Sequence, residues 1–155
     1  MAKRSAGVLL YRMRAGSPEV LLVHPGGPFW RNKDLGAWSL PKGEYDSDEE
    51  PLAAALREFE EETGFRPPAG ALLDLGEVRQ KSGKVVTAWA AAGDVDVSLL
   101  RSNEVELPWP PRSGRTANFP EVDRAEWFDP DAARRKLVAA QAEFVPRLLR
   151  ALGLA

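Results

Sequence analysis

Short apolar runs alternate with polar and glycine- or proline-bearing segments along the chain, and this rhythm predicts its elements. Ser5–Tyr11 and Glu19–His24 are short and rich in Val and Leu, and Ala15-Gly16-Ser17-Pro18 splits them, the pattern of two strands around a turn. A loop over Pro25–Gly36 follows, then a short strand Ala37–Leu40 that ends at Pro41, and a turn at Gly43-Glu44-Tyr45-Asp46. The strongest helical periodicity begins near Ser47 or Asp48, with Ser47 and Glu50 at capping-box spacing and Pro51 in the first turn. That helix runs to Thr63 and stops at Gly64, and Pro67-Pro68 blocks a restart. Ala71–Gln80 and Val85–Ala92 read as a strand pair around Lys81-Ser82-Gly83-Lys84. Ser98–Phe119 reads as long, proline-rich and irregular, Arg124–Phe128 as a short strand, and Pro130–Leu152 as a second helix. Asp129 is placed to cap that helix, and Pro146 is expected to break it near Phe144. Strands and helices mixed in this order predict an α/β or α+β sandwich.

A chain of 155 residues fits one domain, expected to span residues 1–155, and is long enough to bury a core without a covalent staple. The absence of cysteine excludes disulfides, thiolate zinc sites and cysteine nucleophiles. A net charge of −2 gives no bulk electrostatic reason for general nucleic-acid or membrane affinity. The N-terminal apolar run is too short for a signal peptide, with Arg12 and Arg14 close behind, so a cytoplasmic protein is expected.

The first predicted helix carries a physical oddity. At about 100° per residue, Leu52, Leu56, Phe59 and Thr63 form an apolar stripe, and Glu58, Glu61 and Glu62 gather on the opposite side beside Arg57. Like charges three or four residues apart destabilise a helix by about 0.2–0.5 kcal/mol per pair. A divalent cation converts that repulsion into coordination, and carboxylate oxygens suit Mg²⁺ or Mn²⁺ rather than zinc. On spacing alone, a simple solvated acidic face is the commoner reading.

The fixed residues around the helix go further. Gly43, five residues, Glu49, seven residues, then Arg57-Glu58-Phe59-Glu60-Glu61-Glu62-Thr63-Gly64-Phe65 resembles the Nudix box at all nine of its defined positions. The resemblance implies a Nudix-type α/β/α sandwich with a mixed central sheet and a magnesium-dependent hydrolase of phosphoanhydrides (manganese being the alternative ion). It further implies that Gly43, Glu58, Glu61 and Glu62 hold the metal, that Arg57 orders the glutamates, and that Glu49 orients Arg57 or supports the loop.

Metal ions neutralise a diphosphate, activate water and stabilise the leaving oxygen. The base that takes the water's proton is Glu58 or a carboxylate outside the box. Glu104, Glu106 and Glu121 are the outside candidates, with Glu106 favoured because three prolines and a Trp stiffen the chain beyond it. Lys42 is placed to touch phosphate. Trp30 and Trp109, both in predicted loops, are the aromatic residues placed to stack on a base, and Arg112 and Arg115 to meet a polyphosphate. Arg31, Lys33 and His24, the only histidine, are expected to face solvent. The lead-in Trp38-Ser39-Leu40-Pro41-Lys42-Gly43-Glu44 is similar to Nudix members acting on dinucleoside polyphosphates and nucleoside triphosphates. A nucleotide-type substrate is therefore expected, with ADP-ribose or another nucleotide sugar as the alternative and a homodimer left open. A nucleotide-sensing module that does not cleave, or an acidic interaction domain, are the competing classes; retention of all three glutamates argues against the first.

Overall fold

The computed structural model describes residues 3–154. In chain order the strands and helices are β1 Arg4–Arg14, β2 Ser17–Pro25, β3 Lys42–Glu44, α1 Pro51–Thr63, β4 Leu72–Arg79, β5 Val85–Ala92, β6 Glu104–Pro108, β7 Thr116–Pro120, β8 Val122–Phe128, α2 Pro130–Lys136 and α3 Phe144–Ala151. Single 3₁₀ turns occupy Val97–Leu99 and Ala139–Glu143.

The main sheet has the order β4-β5-β1-β2-β8, with β3 also paired to β1. β1 and β5 run parallel and the other pairings are antiparallel, so the sheet is mixed. Alternation along the central strands sends side chains to two separate cores. Ala6, Val8 and Leu10 of β1 and Leu21 and Val23 of β2 pack with Ala54, Ala55 and Phe59 of α1. Leu9, Val20 and Leu22 point the other way, onto Ala133 of α2 and Phe144, Val145 and Leu148 of α3. The result is a helix–sheet–helix sandwich, as the sequence predicts.

Several local expectations are corrected. Ala37–Leu40 makes only isolated bridges, Trp38 to Leu137 and Ser39 to Val23, because two neighbours on different elements share its backbone groups. Gly43 and Glu44 lie in strand β3 rather than in a turn, registered against Ala6 and Ser5 of β1. Helix α1 starts at Pro51 with Glu50 as cap residue and no side-chain cap bond, so the Ser47 capping box is not formed. Its buried face is Ala54, Ala55, Phe59 and Thr63; the two alanines let the helix lie close on the sheet, and Leu52 and Leu56 are left half-buried. Gly64 ends the helix at φ 76°, in the left-handed region, and its N–H bonds the Glu60 carbonyl at 2.7 Å.

Ser98–Phe119 is not irregular throughout, since β6 and β7 close an antiparallel hairpin from Glu104↔Pro120 to Pro108↔Thr116. The C-terminal helix breaks at Leu137–Val138, well before Pro146. There Trp38 takes over the backbone: its N–H bonds the Lys136 carbonyl and its carbonyl accepts from the Val138 N–H, both at 2.9 Å. Pro146 sits in the first turn of α3, where its missing N–H costs little. Asp129 caps α2 through the Ala132 N–H at 2.8 Å, as expected.

Candidate active site

The acidic face of α1 looks toward β3 and toward the chain entering β8. Arg57 organises it. Its Nε and Nη2 form a two-pronged contact with Glu49 at 2.9 and 3.0 Å, and Nη1 reaches Glu58 at 2.8 Å and Glu61 at 3.1 Å. Three carboxylates on one guanidinium raise its pKa further above an already high value, with the Glu49 hydrogen bonds the largest cause. The fork fixes the side chains at the one end of the face that carries a cation.

Glu62 faces the other way, accepting from the Lys42 N–H at 3.2 Å. Burial pushes its carboxyl up to about 8, and the charges of Glu121 and Glu58 add to that, while Lys42 opposes it. Lys42 is itself pulled below its ordinary value by burial and by nearby Lys84. Desolvation outweighs attraction for both partners, so neither charge is comfortable in this cleft. Glu58 is also raised by burial, partly offset by Arg57. Glu60 is exposed and bonds no other side chain among the described residues.

At Gly43 any side chain would displace the Glu58 carboxylate. A Cβ there would stand 2.0 Å from the Glu58 Cδ and Oε2. Strand β3 therefore lies directly under the Glu58 carboxylate, with bare backbone facing it.

Of the three carboxylates outside the helix, Glu121 reaches this site. It precedes β8 and is tied by its N–H to the Asn103 carbonyl and by its carbonyl to the Gly26 N–H, both at 2.8 Å. Its carboxyl is raised by burial and by the charge of Glu61. Glu104 and Glu106 fall on the exposed face of the β6–β7 hairpin, with Val105 and Leu107 turned inward between them. The two-residue period of the strand thus turns Glu106 to the solvent side of its hairpin.

Glu62, Glu121 and Lys42 border a cleft of ≈ 250 Å³. Val23, Ala37, Val122 and Val138 give it an apolar lining, Trp30 stands at its edge 41% exposed, and Ser39, Gln80 and Gln141 supply its polar groups. Trp30 and Lys42 both border this cleft. Trp109 is not at the cleft: it packs edge-on between Phe29 and Phe119, with centroids 6.1 and 6.4 Å away. Arg112 and Arg115 are exposed at the hairpin tip, away from the lining. His24 is fully buried rather than solvent-facing, with Nε2–H donating to the Lys33 carbonyl at 2.6 Å and Nδ1 against Asp123 at 2.8 Å. It holds the loop that carries Trp30.

Among the described residues no three His, Cys, Asp or Glu side chains converge at ligating distance. Glu58 and Glu61 are held by Arg57, and Glu62 accepts from the Lys42 backbone N–H. The donors still fit a hard divalent cation: all are oxygens, they lie on adjacent turns, and Glu62 is buried at a cost that a cation would relieve.

The model of the NUDIX domain matches residues 1–148. The chain belongs to the Nudix hydrolase family. Nudix proteins generally use divalent metal ions. The rat asymmetrical bis(5′-nucleosyl)-tetraphosphatase is 31% identical over 116 residues, 67% of this chain and 75% of that protein. The RNA pyrophosphohydrolase of Erythrobacter litoralis is 28% identical over 159 aligned residues, 87% of this chain and 86% of that protein. Matches to two other RNA pyrophosphohydrolases span only 30% and 23% of those proteins. The solved Ap4A hydrolase of C. elegans in a binary complex superposes with a TM-score of 0.62 at 22% identity, covering 98% of each chain, which shows the shared fold.

Sequence reasoning missed Gln80, Gln141 and Ser39 as cleft residues and ranked Glu121 below Glu106. A glutamine among four alanine and valine neighbours, Val138-Ala139-Ala140-Gln141-Ala142, was an available sign of a buried polar group.

Proposed function

We propose that this Nudix hydrolase cleaves a phosphoanhydride in a nucleoside triphosphate or dinucleoside polyphosphate, using magnesium held by Glu58, Glu61 and Glu62 near the Gly43 backbone. The observation that carries this is that Glu62, Glu121 and Lys42 line one cleft, while Glu58 and Glu61, on the same helix face, are near enough for their charges to raise the carboxyls of Glu62 and Glu121 respectively. Manganese suits the same oxygen donors.

The cation, when bound, supplies charge neutralisation of the phosphates and activation of water. Arg57 and Glu49 hold Glu58 and Glu61 in place. Lys42 offers its ammonium to a phosphate oxygen. The Glu121 carboxylate, raised by burial and by the charge of Glu61, takes the proton of the attacking water. Water oxygen bonds to phosphorus, the bridging oxygen leaves with its electron pair, and the proton remains on Glu121. Trp30 covers the base, and Trp109 supports the loop beneath it through Phe29.

Incubation with Mg²⁺ and a panel of nucleoside triphosphates, dinucleoside polyphosphates, 5′-triphosphorylated RNA and ADP-ribose tests the reading, with products identified chromatographically. Metal-dependent cleavage, lost in Glu61→Gln and Glu62→Gln proteins that remain folded, is expected. Affinity without products would instead identify a nucleotide-sensing module, and ¹⁸O-labelled water would locate the phosphorus attacked.

A further inference from the structure

The polar groups of the cleft are oriented by a relay that starts at a backbone amide. The Leu40 N–H can only donate, and it bonds Gln141 Oε1 at 3.1 Å. Gln141 is fully buried, so its other end has no choice: Nε2 gives one N–H to Ser39 Oγ at 3.1 Å and the other to Gln80 Oε1 at 2.9 Å. The Ser39 hydroxyl completes the loop by donating to the Leu40 carbonyl at 2.7 Å. Gln80 is thereby oriented in turn. Its oxygen is committed to Gln141, and its –NH₂ has no hydrogen-bond partner among the described residues, at the edge of the cleft.

A peptide N–H has thus set the polarity of two side-chain amides in series. What the wall presents to a ligand is a donor. We infer that Gln80 is a specificity-determining residue, whose Nε2 selects nucleotides with a carbonyl oxygen on the entering edge of the base (guanine, hypoxanthine or uracil) over those with an amine there (adenine or cytosine). Reversing Gln80 to suit an amine would set its –NH₂ against that of Gln141, which cannot reverse without losing the Leu40 N–H. Two facing donors leave a polar group unpaired, and rejection of that kind is worth about tenfold or more in affinity.

The inference rests on the nucleoside occupying this cleft, but not on whether the protein cleaves anything. Its test is calorimetric binding of nucleoside monophosphates, which have no phosphoanhydride, in the absence of divalent cation. GMP is expected to bind ~10-fold more tightly than AMP, and UMP more tightly than CMP by a similar factor. Gln80→Leu should bring both ratios near one. Gln80→Glu still accepts from Gln141, so the buried relay survives, and it should shift both ratios toward the amine-bearing base. Equal affinities in the wild-type protein, ratios that survive Gln80→Leu, or failure of all four nucleotides to bind would each overturn the inference. Cleavage without base selectivity would sink it and leave the hydrolase reading standing; selective binding without cleavage would do the reverse.

Discussion

The Glu62 carboxyl makes a quantitative prediction about stability. Burial raises it from the ordinary 4.5 to about 8 in the folded, metal-free protein. Between those two values the folded state holds a proton that the unfolded state has released. Stability must therefore fall as pH rises through that window, the opposite of the usual salt-bridged acid. Each pH unit is worth about 1.4 kcal/mol, so the full window sets a ceiling of ~5 kcal/mol. Glu62 keeps some solvent access, which brings the expected cost to ~2–3 kcal/mol. Glu62→Gln removes the charge while keeping the acceptor for the Lys42 N–H. Urea unfolding with chelator present, at half-unit steps from pH 5 to 9, measures both proteins. Their stabilities should differ little at pH 5 and diverge above it, with the variant more stable by ~2–3 kcal/mol at pH 9. Subtracting the curves cancels the other titrating groups. A difference that is flat with pH, or a variant that is less stable at pH 9, would refute the argument that desolvation dominates this carboxylate. Adding Mg²⁺ should narrow or reverse the difference, because the variant lacks one of the three carboxylates proposed to hold the ion.

Three further outcomes are expected. Gly43→Ala should abolish Mg²⁺-dependent turnover, by about a hundredfold or more, since the new methyl lands on Glu58; circular dichroism should show the fold kept, and near-normal activity would disprove the close approach. Glu121→Gln should lower kcat by ~10²–10⁴ with little change in KM, whereas Glu106→Gln should leave both near wild type; the reverse ranking would return the base to the hairpin. Phe59→Ala should cost about 3–5 kcal/mol in chemical denaturation, because the ring is fully buried in the core between α1 and the sheet and its loss leaves a cavity there.

The sandwich and the helix bearing the glutamates were legible because they depend on local pattern: apolar runs of strand length, a Pro start and a Gly stop, and a fixed spacing from Gly43 to Phe65. What was not legible depended on long-range pairing. Gly43 looked like a turn residue because nothing nearby in sequence reveals that Ala6 lies beside it. The C-terminal helix seemed bound to break at Pro146, yet the break follows the backbone demands of Trp38, about a hundred residues away in sequence. Glu106 drew attention through its stiff neighbours, but a hairpin's two-residue period decides which way it faces, and that period was hidden among prolines. His24 looked like an exposed strand end because its partners Lys33 and Asp123 lie in a loop and on β8.

The hairpin of β6 and β7 closes its ladder entirely within itself, while its root is pinned where Asn103 donates to the Glu61 carbonyl and accepts from Glu121. Residues can accordingly be inserted or deleted at its tip without shifting the register of any strand in the main sheet. Changes of length or charge at that tip would leave the glutamate face of α1 and the chain entering β8 unaltered.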